Sequence, residues 1–147
     1  MSFSKLFIIK KLNYITGYLE ELKDLLKFNN EEIKSNSGRM HTGERLFQFI
    51  ADTALDVNHH LIRELNLEVT DDLQNTFHII AENDILPQDF ANKIAPSVKF
   101  RNLIVHVYEK LDKDLFLKYL REGYSDFKKY VECISEYLDK SEELDKN

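Results

Sequence analysis

Four side chains able to do chemistry fall within eight consecutive residues, the run "RNLIVHVY" from Arg101 to Tyr108. Arg101 contributes a permanent planar cation suited to anionic oxygens. His106 contributes an imidazole, a group whose ordinary pKa of about 6.5 lets it give or take a proton near neutrality. Asn102 and Tyr108 add a carboxamide and a phenol. The neighbourhood is basic: no acid occurs between Asp89 and Glu109, while Lys93, Lys99 and Arg101 carry positive charge. Anion binding and proton transfer are the chemistry such a set offers.

With about 100° per residue and Arg101 at zero, a helical wheel puts Asn102 near 100°, His106 near 140° and Tyr108 near 340°. Leu103, Val107 and Ile104 gather at roughly 200° to 300° on the same wheel, which predicts a packed side opposite the polar arc. Asn102 and His106 are one turn apart and can touch. Val105 lies within the polar arc, so another surface should cover part of it, and a C2 homodimer is the commonest solution. A plainer explanation competes: Arg101 and Tyr108 lie along a helix edge, and His106 makes one satisfied hydrogen bond. Geometry alone leaves both standing.

The elements that must position this run read as helices. From about Lys5 to Phe28, Ile8, Leu12, Ile15, Leu19, Leu22 and Leu26 recur at steps of three and four. "NNEEIKSNSG" breaks the pattern and reads as a loop of uncertain length, with a frayed helical turn as the alternative for its N-terminal part. A second helix, about Arg39 to Leu65, carries Leu46, Phe49, Ile50, Ala54, Val57, Leu61 and Leu65. Thr70, followed by Asp71 and Asp72, predicts the N-cap of a short helix ending near Ala81. Pro87 should open a fourth helix that Pro96 kinks or divides. A last helix should run from about Lys113 to Leu138, with the tail "KSEELDKN" frayed.

Composition agrees with that reading. Four glycines and two prolines in 147 residues are too few for a many-turned β protein, and 43% hydrophobic with 31% charged residues suits a folded chain. The expectation is a single all-α domain over residues 1–147, an antiparallel bundle of four to five helices. The lone Cys133 makes no internal disulfide, and neither a signal peptide nor a membrane span is evident, so a cytoplasmic location is expected. A net charge of −6 argues against a surface that grips nucleic acid everywhere.

"RNLIVHVY" resembles the R-x4-H-x-Y motif of the HEPN (higher eukaryote and prokaryote nucleotide-binding) superfamily, in particular its HepT-like toxins. "GERLFQFIADTALDVNHHLI" is similar to that family's preceding helix, and "ILPQDFANKIAPSVKFRNLIVHVY" has its order of turn, helix and motif. The resemblance spans about Gly43 to Tyr108. It implies a metal-independent endoribonuclease toxin with RNA, not DNA, as substrate, no cofactor, and a homodimer whose two motifs face one cleft. It implies Arg101 and His106 as the catalytic pair and Asn102 as an orienting group. His106 would serve as base or acid when a ribose 2′-hydroxyl attacks the adjacent phosphate, with Arg101 on the phosphoryl oxygens. It also implies an MNT-type nucleotidyltransferase antitoxin that attaches AMP to Tyr108. The alternative is a non-catalytic HEPN protein that binds, and is adenylylated by, such a partner.

Other features are weaker. Asp52, Asp56, His59 and His60 lie on or near one face of the second helix. Asp56 and His60 match positions that related families keep polar and are candidates to support the motif, although an ordinary polar surface or dimer edge explains them as well. No metal site is expected, since paired Glu-x-x-His motifs are missing and only Asp56 to His59 has even Asp-x-x-His spacing. His41, His78 and Cys133 read as structural or exposed. The tyrosines of the last helix, Tyr119, Tyr124, Tyr130 and Tyr137, read as packing groups, because a base-stacking platform normally accompanies a basic groove.

Overall fold

Low glycine and proline content and long three-and-four periodicity give helices that bury one stripe each. A computed structural model describes the backbone of residues 2–106 and 112–146 and the side chains of residues 5–101 and 112–141. The described residues form α1 (Ser2–Leu25), α2 (Asn30–Lys34), α3 (Ser37–Glu64), α4 (Asn75–Glu82), α5 (Gln88–Ile94), α6 (Ser97–His106) and α7 (Lys113–Lys146). The expected all-α bundle is what forms. Its fourth helix is divided at Ala95 and Pro96 into α5 and α6, as the proline's missing donor and ring clash require.

Three boundaries differ from expectation for local reasons. Within the expected loop, Asn29 and Glu32 close a reciprocal capping box that starts the single turn α2. Thr70 does not cap α4. Its Oγ1 accepts from the Asp72 amide, and Asp72 Oδ1 accepts from the Gln74 amide, so successive side-chain turns delay the helix to Asn75. At the other end α7 runs through the tail to Lys146, a stretch without glycine or proline and rich in helix formers.

Side-chain pairs give the topology. Phe7 stacks on His60, Lys11 pairs with Asp56, and Tyr18 meets Phe49. Rising numbers in α1 thus meet falling numbers in α3, an antiparallel pair. α7 runs parallel to α3: a Cβ at Gly123 would stand 3.0 Å from the Phe47 ring, and Tyr130 reaches Ala54 and Asn58. Gly43 permits the three-way contact of α1, α3 and α7, since a Cβ there would meet Leu120 Cδ2 at 3.0 Å and Leu25 Cδ2 at 3.2 Å. Arg121 of α7 ties down the end of α1, its guanidinium donating to the Leu26 and Phe28 carbonyls and to Asn30 Oδ1.

One polar network crosses the core. The fully buried Tyr130 hydroxyl lies 2.5 Å from Asn58 Oδ1 and 3.1 Å from the Ala54 carbonyl, and Asn58 Nδ2 donates to Thr76 Oγ1. Burial pushes the Tyr130 phenol well above its usual pKa, so it acts as a neutral donor. Tyr130→Phe should cost about 1–3 kcal/mol, because it strands the buried Asn58 oxygen. Urea denaturation checks this, and an unchanged midpoint would contradict it. No described helix is long and apolar enough to cross a membrane.

Candidate active site on α6

α6 begins one residue after Pro96 and is docked through alternate contacts. Val98 and Phe100 are both buried, with 2% and 6% exposure. On the wheel they flank Arg101, so this side of α6 faces the protein at its N-terminal end. Phe100 fills the space between α3 and α7, its ring 5.2 Å from that of Phe47 and 5.6 Å from that of Phe116, centroid to centroid.

Arg101 therefore does not lie on an open polar arc opposite the packed side. It leans on α3, where its Nε is 2.7 Å from Asp52 Oδ1, with the two side chains 25% and 39% exposed. This ion pair holds the guanidinium against α3. Asp52 is the positioning partner that sequence reading grouped with its neighbours without singling it out. Acids at positions 52 and 56 lie one turn apart on α3, and only the placement of α6 distinguishes them.

Among the described contacts, Asp56 and His60 meet α1. Asp56 Oδ2 accepts from Lys11 Nζ at 3.1 Å, on the α1 side of α3. His60 is buried against the Phe7 ring, with centroids 4.3 Å apart. Neither is brought to Arg101 by these contacts. Positions 102 and 106 belong to the helical backbone of α6. The side chains of Asn102 and His106, and all of Tyr108, lie outside the described residues.

The basic island of the sequence is also reshaped in space. Lys93 Nζ is 3.1 Å from Asp126 Oδ1 of α7, just as Arg101 meets Asp52 of α3. Acids from distant helices offset two of its three cations. Among the described residues, no group of three or more His, Cys, Asp or Glu side chains is placed to hold a metal ion.

The comparisons agree with the motif. The family model described as "Ribonuclease HepT-like" matches residues 15–134. The tRNA nuclease HepT of Aphanizomenon flos-aquae is 28% identical over 128 residues, 87% of each chain. The mRNA nuclease HepT of Shewanella oneidensis is 23% identical over 87 residues, 59% of this chain and 65% of the relative. Among solved structures, a tri-AMPylated Shewanella oneidensis HEPN toxin in complex with an MNT antitoxin superposes with a TM-score of 0.80. That match has 19% identity and covers 88% of this chain and 96% of that one.

Proposed function

Because this chain belongs to the HepT-like ribonuclease family, we propose that it is a metal-independent endoribonuclease toxin held in check by a nucleotidyltransferase antitoxin. The observation that carries this reading is the R-x4-H-x-Y run on α6, with its arginine braced by Asp52. The nuclease names of the relatives support RNA as the substrate, and the complex with an MNT antitoxin supports the partner.

The residue types account for each step. The His106 imidazole takes the proton of a ribose 2′-hydroxyl, and the 2′-oxygen attacks the adjacent phosphorus. Negative charge builds on the phosphoryl oxygens, where the Arg101 guanidinium stabilises it. The bond from phosphorus to the 5′-oxygen breaks, leaving a 2′,3′-cyclic phosphate, and the departing oxygen picks up a proton. Asn102, one turn before His106, orients the imidazole or the ribose. Asp52 acts through Arg101 and is a positioning residue.

Arg101 and His106 are five residues apart on one helix and so point about 140° away from each other. A homodimer with the two α6 helices near its axis removes the difficulty, since Arg101 of one protomer then serves with His106 of its partner. Tyr108 follows His106 by two residues. AMP attached there by the antitoxin brings a phosphate and a nucleoside to the cleft, shielding Arg101 and excluding substrate.

Expression of the wild-type chain should halt bacterial growth, and co-expression of the cognate nucleotidyltransferase should relieve the arrest and add the mass of AMP to Tyr108. Growth arrest that persists in full with His106→Ala would overturn the nuclease reading. Asp52→Asn should lower kcat roughly 10- to 100-fold with little change in KM, as expected when a catalytic cation loses its alignment. An unchanged kcat would remove Asp52 from the account.

A further inference from the structure

A groove of about 540 Å³ opens between α6 and the first turns of α7. Its volume lies in the range of sites that hold a small heterocycle. Phe100 forms its floor, with Leu115 and Tyr119 on the α7 wall and Lys99 at the α6 edge. Tyr119 separates itself from the other tyrosines of α7. Tyr130 is fully buried and Tyr124 and Tyr137 are half-buried, whereas Tyr119 is 39% exposed and its ring leans on Phe100 with centroids 4.7 Å apart. It is braced on one side and open on the other, the condition for stacking a planar ring.

The polar lining narrows the occupant. Glu122 and Asp126 both line the groove, and Asp126 is engaged by Lys93 at 3.1 Å. Lys93 offsets Asp126, which leaves the Glu122 carboxylate as an acceptor for an amino group on whatever enters. Lys99, exposed on the same lining, supplies a cation for the phosphate attached to that occupant. Apolar Phe100 and Leu115, an exposed aromatic, and acids and lysines along one lining together match one nucleotide of a single strand. Phe100 and Arg101 are consecutive on α6, so their side chains leave the helix about 100° apart, Phe100 into the groove and Arg101 to Asp52 of α3.

We infer that the groove seats a base of the RNA strand, with preference for a base bearing an exocyclic amino group over uracil. Tyr119 stacks on the base and Glu122 accepts from its amino group. The inference rests on RNA being the substrate, but its test does not depend on cleavage.

The experiment is fluorescence-anisotropy binding of labelled oligo(A), oligo(C) and oligo(U) to the full-length His106→Ala chain, which in the proposed mechanism holds RNA without cutting it. Tyr119→Ala on that background should weaken oligo(A) and oligo(C) binding roughly 5- to 150-fold, the loss of one stacked base. Tyr119→Phe keeps the ring and should bind within about twofold of its parent. Glu122→Gln should narrow the preference for oligo(A) and oligo(C) over oligo(U). Leu115→Glu, at a position 40% exposed, should fold normally and block entry. Binding unaltered by Tyr119→Ala, or no binding of any oligonucleotide, overturns the inference. So does Leu115→Glu changing only the oligomeric state in light scattering, which would make the groove a surface between copies. Wild-type cleavage of RNA with unaltered Tyr119→Ala binding rejects the groove alone, whereas Tyr119-dependent binding without cleavage rejects the nuclease reading alone.

Discussion

Arg101→Ala is expected to slow RNA cleavage by roughly 10²- to 10³-fold, the usual cost of removing one donor from the charge that develops in a transition state. The loss should appear in kcat more than in KM, because the extra phosphoryl charge exists only during the reaction. Arg101→Lys should recover little. A lysine presents a compact point charge on a flexible stem and lacks the planar guanidinium that pairs with Asp52 at 2.7 Å. Removing the arginine also leaves the Asp52 carboxylate beside the cleft, where it repels the substrate phosphate. Single-turnover kinetics on a short oligoribonucleotide separate these effects, and an Arg101→Ala rate within an order of magnitude of wild type would place the phosphoryl charge elsewhere.

Mixing Arg101→Ala with His106→Ala protomers should restore activity that neither variant has alone. With arginine and histidine drawn from opposite protomers of a C2 dimer, the mixed dimer contains one site missing both groups and one site with both intact. Random exchange makes half of the dimers mixed, each with one working site of two, so about a quarter of wild-type activity should return. Sites built within single protomers would each lack one group in every dimer, and the mixture would stay as slow as its components. The effect spans roughly two orders of magnitude, well beyond assay error. A monodisperse monomer in light scattering at micromolar concentration would also contradict the shared cleft.

The fold was legible where periodicity was long. α1 and α3 stand close to their expected spans and α7 begins where expected, since their stripes of Leu, Ile and Phe admit one buried face. Shorter signals were hidden by local competition. Thr70, Asp71 and Asp72 have the composition of a cap, but hydrogen bonds between neighbouring side chains and amides stabilise a turn instead. The capping box at Asn29 and Glu32 was present in "NNEE" and was outweighed by the polar run around it.

At the site, the motif itself was legible and its surroundings were not. The wheel for Arg101 to Tyr108 assigned the packed side from Leu103, Ile104 and Val107 alone. Pro96 sets the helix so that Val98 and Phe100 are both buried, which turns Arg101 toward α3. The choice of Asp52 over Asp56 as the neighbour of Arg101 depends on how α6 crosses α3. Equal spacing along one helix face carries no information about that crossing. Tyr119 reads from sequence as a packing group for a related reason, because helical spacing cannot tell a half-open ring beside a groove from a buried one.

Cleavage of total cellular RNA by the purified, antitoxin-free protein in excess EDTA, with His106→Ala prepared alongside, tests the central claim most directly. The account predicts fragments ending in 2′,3′-cyclic phosphate from the wild type, and a rate lower by roughly 10²- to 10⁴-fold from His106→Ala, the range for losing a general acid or base. Intact RNA with the wild type, or equal fragmentation by both proteins, would contradict it. Intact RNA would leave Tyr108 as an acceptor of AMP on a protein that binds its nucleotidyltransferase and cuts nothing.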